Sequence, residues 1–246
     1  MTVKKNLEVC FSPALLHLYD TKGKVVVIID IFRATSTITA ALANGAEKVV
    51  PVASVEECIA LGECTPNSIT AGERNGQVAP GLQYGNSPLE YPTKFINGKI
   101  LNLTTTNGTR LLHQVQDADT IIIGSFLNLS AVCEYLIAQD KDVLLGCASW
   151  KDRPNMEDNL FAGAVVRKVQ DYFEVKCDSA QIAGSMYDDA LRRPDLLTYL
   201  KVGSHYERLS NFGLLKDLEY CTQVDIHPVV PILKNNALVL EKVTTI

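Results

Sequence analysis

Histidine is scarce in this chain of 246 residues, with four copies, and tryptophan occurs once. The seven cysteines (Cys10, Cys58, Cys64, Cys133, Cys147, Cys177 and Cys221) are odd in number and include no C-x-x-C pair. A disulfide framework and a structural zinc site are therefore not expected, and the apolar neighbours of most cysteines make them small buried hydrophobes. No run of Lys and Arg occurs and the formal net charge is −5. Nucleic-acid binding needs cations that neutralise phosphates, so no nucleic-acid partner is expected. A few local arginines can still hold a small anion. The longest strongly apolar stretch, Val25–Ile29, is far below the ~20 residues of a transmembrane helix, so no membrane association is expected. Residues 1–18 have no apolar signal-peptide core, being interrupted by Asn6 and Glu8, which predicts a cytoplasmic protein. Neither G-x-x-x-x-G-K-[ST] nor a strand-borne G-x-G-x-x-G is present, so ATP or dinucleotide binding by those routes has no support.

What the chain does have is a globular composition, 47% hydrophobic and 21% charged. One domain over 1–246 is expected, with room for two closely packed subdomains. The run at 24–30 is continuously apolar between Lys24 and Asp30, the mark of a strand covered on both faces. Helix is predicted at 35–44, strand at 47–53, helix at 55–62 and a short strand at 68–71. A Gly- and Asn-rich loop follows over 72–98, in which Ser87-Pro88 reads as an N-cap with Pro at the first helical position. Strands at 99–104, 120–124 and 142–148 then alternate with helices at 109–115, 129–139 and 157–173. The stretch 177–221 reads as helical, broken at Pro194 and Gly203. Two closing strands are predicted at 229–233 and 237–242 around Asn235-Asn236. Strands alternating with helices predict a three-layer α/β/α fold on a mostly parallel, mixed sheet.

Ligands of open α/β sheets bind beyond the carboxyl ends of the strands. Asp30 ends the first apolar strand, followed by Arg33 and the hydroxyls of Thr35, Ser36 and Thr37 at a helix start, an arrangement suited to phosphate or carboxylate. An N-cap with an Asp30–Arg33 pair explains the same residues equally well. Thr104 to Arg110 repeats the logic with Thr105, Thr106, Asn107, Thr109 and Arg110. Gly72-Glu73-Arg74-Asn75-Gly76 and Gly85-Asn86-Ser87-Pro88 lie in the long loop. At Asn155-Met-Glu157-Asp158 the local pattern favours a capping-box-like helix start over a chemical role. His205 is a lone histidine and carries little weight. Arg33, Arg74 and Arg110 at three strand ends, beside Asp30, Glu73 and Asp158, predict a rim for a small polyanionic phosphate ester and a hard cation such as Mg²⁺.

The order Asp-Ile-Phe-Arg-Ala-Thr-Ser-Thr-Ile (30–38), Gly-Glu-Arg-Asn-Gly (72–76), Gly-Asn-Ser-Pro (85–88), Thr-Thr-Asn-Gly-Thr (105–109) and Glu-Asp-Asn-Leu-Phe-Ala-Gly (157–163) resembles the 2-phosphosulfolactate phosphatase family along nearly the whole chain. So does the tail with Ser204-His205, Asp217, Cys221 and Val229-Val230-Pro231. The resemblance implies an α/β/α layered fold. It also implies Mg²⁺-dependent hydrolysis of (2R)-2-phospho-3-sulfolactate to 3-sulfolactate and phosphate, a step towards coenzyme M. It raises Asp30, Arg33, Glu73, Arg74, Asn107 and Asp158 as site residues, and lifts Glu157 against the local reading. Ile31-Phe32 departs from smaller aliphatic residues there, and a Phe32 pointing into the site would alter substrate preference.

The expected arrangement has Mg²⁺ on two or more of Asp30, Glu73, Glu157 and Asp158. Asp30, Arg33, Glu73 and Arg74 carry the chemistry, and attack comes either from water or from Asp30 as nucleophile. The hydroxyl, Asn and Arg110 positions above bind substrate. A non-catalytic binder of phosphorylated acids and a phosphotransferase are the rival readings, and a homo-oligomer is compatible with the chain's size.

Overall fold

The computed structural model describes residues 4–74, 76–105 and 108–240, and the side chain of Thr109 also lies outside the described set. The strands are β1 (Lys5–Cys10), β2 (Val25–Ile29), β3 (Lys48–Pro51), β4 (Ser68–Arg74), β5 (Gln77–Val78), β6 (Ile100–Thr104), β7 (Thr120–Gly124), β8 (Val143–Cys147), β9 (Phe173–Glu174), β10 (Pro231–Lys234) and β11 (Ala237–Leu240). The helices are α1 (Ala34–Ala43), α2 (Val55–Cys64), α3 (Thr93–Ile96), α4 (Gly108–Gln114), α5 (Leu129–Gln139), α6 (Met156–Val169), α7 (Asp178–Ala190), α8 (Leu196–Leu200), α9 (Ser204–Asn211) and α10 (Leu215–Cys221). The strands form one sheet in the order β5-β4-β6-β3-β11-β10-β7-β2-β8-β1-β9. Helices cover both faces, giving the three-layer α/β fold that the alternation predicts.

The sheet consists of two parallel blocks. In one, β2 pairs parallel with β7 and β8, and β8 with β1; in the other, β3, β6 and β4 run parallel. The C-terminal hairpin β10–β11 lies between the blocks, antiparallel to both, with Ile232 opposite Ile122 and Leu238 opposite Val49. Its turn is Asn235-Asn236, both with positive φ (50° and 62°), a conformation asparagine tolerates well. The expected closing pair is therefore a central join.

The two-residue period of β2 explains its uniformly apolar sequence. Val25, Val27 and Ile29 enter a core with α5, α6 and α7, whereas Val26 and Ile28 enter a second core with residues of α1 and α4. α1 is buried at nine of its ten residues and packs against β3, β7 and β10. Its small residues (Ala34, Thr35, Ser36, Thr37) allow that enclosure. α6 and α7 approach through Gly163, where an added Cβ would lie 2.0 Å from the Ala183 carbonyl oxygen.

Several predicted elements differ from those observed. Residues 5–10 form a strand although no strand is predicted there; its only local mark is Leu7 and Val9 turned inward on either side of the less buried Glu8. The 72–98 loop is partly structured: β4 continues to Arg74, β5 pairs back on it, and Pro88–Glu90 forms a 3₁₀ turn capped by the Ser87 hydroxyl. The long helix stops at Val169, and Phe173 begins β9. Residues 241 and 242 of the last predicted strand lie outside the described set. No helix among the described residues is long and apolar enough to cross a membrane. The cysteines form no disulfide among the described residues; burial pushes the Cys10 thiol up to about 11 and Cys221 up to about 12, as befits packing residues.

Candidate active site

Both blocks of the sheet deliver their carboxyl ends to one cleft of about 540 Å³, counted to its open mouth. β2 supplies Asp30, Phe32 and Arg33; β4 supplies Glu73; the end of β6 supplies Thr105; and the turn after β8 supplies Trp150 and Lys151. Asn86 lines one side. The opposite wall is α9, whose His205, Arg208 and Leu209 stand at i, i+3 and i+4 on one helix face.

Asp30 sits where the polypeptide leaves the sheet. Its N–H donates to Thr35 Oγ1 at 3.1 Å, its carbonyl accepts from Thr35 N at 2.9 Å, and its carboxylate faces the Ala34 N–H. The N-terminus of α1, expected to hold a ligand anion, is thus capped by Asp30 itself. Gly108 packs against the same carboxylate, an added Cβ there falling 3.0 Å from Oδ2. Burial raises the Asp30 carboxyl to about 7; His205 counteracts this, while Glu73 and Glu157 add to it.

Arg33 is 4% exposed and is held on two sides. Nη1 pairs with Asp217 of α10, and Nη2 donates to the Gly76 carbonyl at 3.2 Å. Asp217 in turn accepts from Ser87 Oγ at 2.8 Å. Ser87 therefore acts behind Arg33 rather than on the cleft lining. Asn86 does line the cleft, and its buried Oδ1 has no hydrogen-bond partner. Such an orphan acceptor suits a ligand that brings its own donor.

The carboxylates at the start of α6 have other tasks than the expected metal contacts. Asp158 accepts from Ile31 N at 2.8 Å and from Ser149 N at 3.1 Å, which ties the ends of β2 and β8 together. Its own N–H is capped by Asn155 Oδ1 at 3.2 Å, as the capping pattern predicts. Burial, with Glu157 and Asp30 nearby, holds the Asp158 carboxyl well above the usual carboxylate range. Glu157, also buried, is bonded to Nδ1 of His205. The His205 ring is nearly parallel to that of Trp150 (centroids 6.5 Å apart, planes 17°) and edge-on to Phe32 at 6.3 Å. Phe32 does reach the site, as one wall of the histidine pocket.

The three predicted hydroxyls of α1 are structural rather than ligand-facing. All are buried; Thr35 receives the Asp30 N–H, Ser36 donates to the Ile31 carbonyl at 2.9 Å, and Thr37 donates to the Asn86 carbonyl at 3.1 Å. The predicted rim of three arginines also changes. Arg74 turns to the Glu73 carbonyl (2.7 Å) and Thr104 Oγ1 (3.4 Å), outside the cleft lining. Arg110 is 51% exposed and pairs with Asp152 at 3.0 Å. Arg208 and Lys151 bring positive charge to the cleft instead. Thr106 and Asn107 lie outside the described residues, as does the side chain of Thr109. Of the lining residues, the sequence gives His205 little weight and does not single out Arg208 or Trp150; His205 and Arg208 share one face of α9 at a spacing that any amphipathic helix shows.

Among the described residues no three His, Cys, Asp or Glu side chains gather as a metal cluster. Asp30 and Glu73 both bring carboxylates to the cleft lining, donors of the oxygen type that a hard cation prefers.

A family model described as 2-phosphosulpholactate phosphatase matches residues 10–236. A probable 2-phosphosulfolactate phosphatase of Thermotoga petrophila is 42% identical over 219 residues, 89% of this chain and 93% of that one. The protein of the same description from Caldanaerobacter subterraneus subsp. tengcongensis is 40% identical over 221 residues, 88% and 90% of the two chains. The Clostridium tetani protein so described is 34% identical over 235 residues, 95% and 99% of the two chains.

Proposed function

Since the chain belongs to the 2-phosphosulpholactate phosphatase family, a group of phosphoric monoester hydrolases, we propose that it hydrolyses (2R)-2-phospho-3-sulfolactate to 3-sulfolactate and phosphate with Mg²⁺ as cofactor, in the route to coenzyme M. The observation that carries this reading is the convergence of Asp30, Arg33, Glu73 and His205 on one cleft from three separate segments.

Arg33, fixed by Asp217 and Gly76, meets the phosphoryl oxygens and neutralises charge that grows as the ester bond breaks. Being immobilised before substrate arrives, it loses little freedom on binding. His205, oriented through Nδ1 by Glu157, offers Nε2 to the leaving oxygen as a general acid. Asp30 and Glu73 are the residues to hold Mg²⁺, which supplies Lewis-acid polarisation of the phosphoryl group when bound. Burial, with Glu73 and Glu157 adding to it, lifts Asp30 to about 7, and a cation held there would offset that cost, which supports this reading.

Phosphate release from a panel of phosphorylated acids, with and without EDTA, tests the reading. The expected result is turnover of 2-phospho-3-sulfolactate that EDTA abolishes and added Mg²⁺ restores. Tight binding without release makes the protein a non-catalytic binder, release only when a second acceptor is supplied makes it a phosphotransferase, and EDTA-insensitive turnover removes Mg²⁺.

A further inference from the structure

The cleft is more tightly enclosed than its mouth suggests. Asp30, Arg33, Asn86, Thr105 and His205 are each 7% exposed or less, so a body larger than water cannot touch them while the walls stand as they are. A wall has to move before an ester reaches Arg33. The strand ends are poor movers, because displacing them breaks the sheet ladder. α10 is anchored as well, with Asp217, Leu218 and Cys221 buried. Among the described walls α9 differs. Of its eight residues only His205 and Leu209 are buried, and its extensive packing is with α10. It lies between two glycines: Gly203 is its N-cap, and Gly213 follows its C-cap, Phe212. Gly213 has φ of 78° and no atom within 4 Å of the place a Cβ would take, so nothing around it resists a change of conformation. Phe212 rests on Gly76, where an added Cβ would lie 2.8 Å from the ring. The closed, empty cleft leaves Arg208 Nε and Asn86 Oδ1 buried with no hydrogen-bond partner among the described residues, a cost that the entry of water removes.

We infer that α9 is the gate of the cleft. It swings about Gly203 and Gly213, parting His205 from Glu157 and lifting Phe212 off Gly76. The same motion draws Arg208 away from the Trp150 ring, where its guanidinium lies 4.3 Å from the centroid in the closed form. Ligand enters and product leaves through the opened wall, and closure returns His205 to Glu157. These ties are side-chain contacts, so the gate opens without unpairing a strand and stands apart from global unfolding. The inference rests on the enclosure of the cleft and holds whichever ester enters it.

The full-length protein without ligand tests the gate. Diethyl pyrocarbonate modifies imidazoles that solvent can reach, and peptide mass spectrometry compares His205 with the exposed His17 of the same molecule. His205 should react about tenfold or more slowly than His17, at a rate that low urea leaves nearly unchanged, since a local opening exposes little surface. Phe212→Ala removes the contact on Gly76, and Gly213→Ala strains the closed form, which needs the positive φ. Each should speed the modification of His205 by about fivefold or more and leave His17 as it is. Amide hydrogen exchange of the unmodified protein reads the same event: the amides of α9 should open together, well before those of β2. A His205 that reacts as fast as His17 means a cleft already open. Modification that follows global unfolding in urea, or that is unchanged in both folded variants, means that α9 is not the moving wall. Each of these results overturns the gate, and should either variant fail to fold, hydrogen exchange of the wild type decides. The phosphatase reading is judged separately by phosphate release: turnover beside a rigid α9 keeps the enzyme and removes the gate, whereas a mobile α9 without turnover does the reverse.

Discussion

The floor and the far wall of the cleft are fixed by different means. The floor is set by strand ends: at the exit of β2 Asp30 donates its N–H to the Thr35 hydroxyl and accepts the Thr35 N–H, and Asp158 staples that exit to the end of β8. The wall is set by side-chain pairs. α9 meets the floor through His205 and Glu157, and α10 through Asp217 and Arg33. A floor built on the sheet varies little in position, because moving it means breaking the ladder. A wall held by two buried ion pairs depends on four side chains, and losing one partner leaves an uncompensated charge. Variants of the floor should therefore change chemistry with the fold intact, whereas variants of the wall should change stability and chemistry together.

The largest effect belongs to Asp30. Asp30→Asn should lower kcat/KM by roughly a thousandfold or more in a phosphate-release assay. It should also stabilise the metal-free protein. Burial lifts this carboxyl to about 7, so between the ordinary carboxylate range and pH 7 the folded chain keeps a proton that the unfolded chain releases. The stability contributed by the protonated group is complete at low pH and is lost as pH rises through 7. Metal-free Asp30→Asn should melt on the order of 5 °C above wild type at about pH 8, the gap closing towards pH 4. A variant that melts lower at both extremes shows that the floor, too, depends on its side chains.

Next in size is the wall. Asp217→Asn should cost about 2–4 kcal/mol in urea unfolding and lower kcat/KM roughly a hundredfold, since Arg33 loses its buried counter-charge. Arg33→Lys should resemble it in activity, because an ammonium cannot reach Asp217 and the Gly76 carbonyl as the fork does. The double variant tests the coupling: a loss close to that of either single shows that the two act as one unit. His205→Gln should reduce kcat by about a hundredfold on the native ester, and much less on an aryl phosphate whose leaving group needs no proton. Equal losses on both esters would make His205 a wall residue with no part in proton transfer.

The same division governs what could be read from sequence. The βα alternation, the uniform burial of β2 and the cap at Asn155 are local patterns, and 120–124 and 129–139 appear with the expected bounds. The strand at 5–10 is weak locally because its pairing partner, β8, lies far along the chain. The site was legible at strand ends, where Asp30, Arg33, Glu73 and Asn86 stand in turns of marked composition. It was not legible in α9 and α10, which look like ordinary amphipathic helices until the fold brings His205 to Glu157 and Asp217 to Arg33. Nor does sequence tell which hydroxyl faces a ligand: Thr35, Ser36 and Thr37 look alike, and only the enclosure of α1 commits all three to backbone partners.

Smaller effects separate structural from contacting groups within the floor. Thr37→Val removes the donor to the Asn86 carbonyl inside the buried surround of α1. It should cost about 1 kcal/mol in unfolding and raise KM by no more than about threefold, as Asn86 shifts slightly. The smallest effect is expected at Arg110. Its sequence position, two residues after Gly108 at the start of α4, made it one of three arginines on the expected rim, yet its side chain is half-exposed and faces Asp152. An exposed pair of this kind contributes between 0 and about 1 kcal/mol, and water screens the charge before it reaches the cleft. Arg110→Ala should leave kcat/KM within about twofold of wild type at about 0.15 M salt, with a somewhat larger change at low salt, where the Debye length is longer. A loss of tenfold or more that ignores salt would mean that Arg110 swings onto the substrate in the bound state, leaving Asp152 behind and restoring the third arginine to the rim.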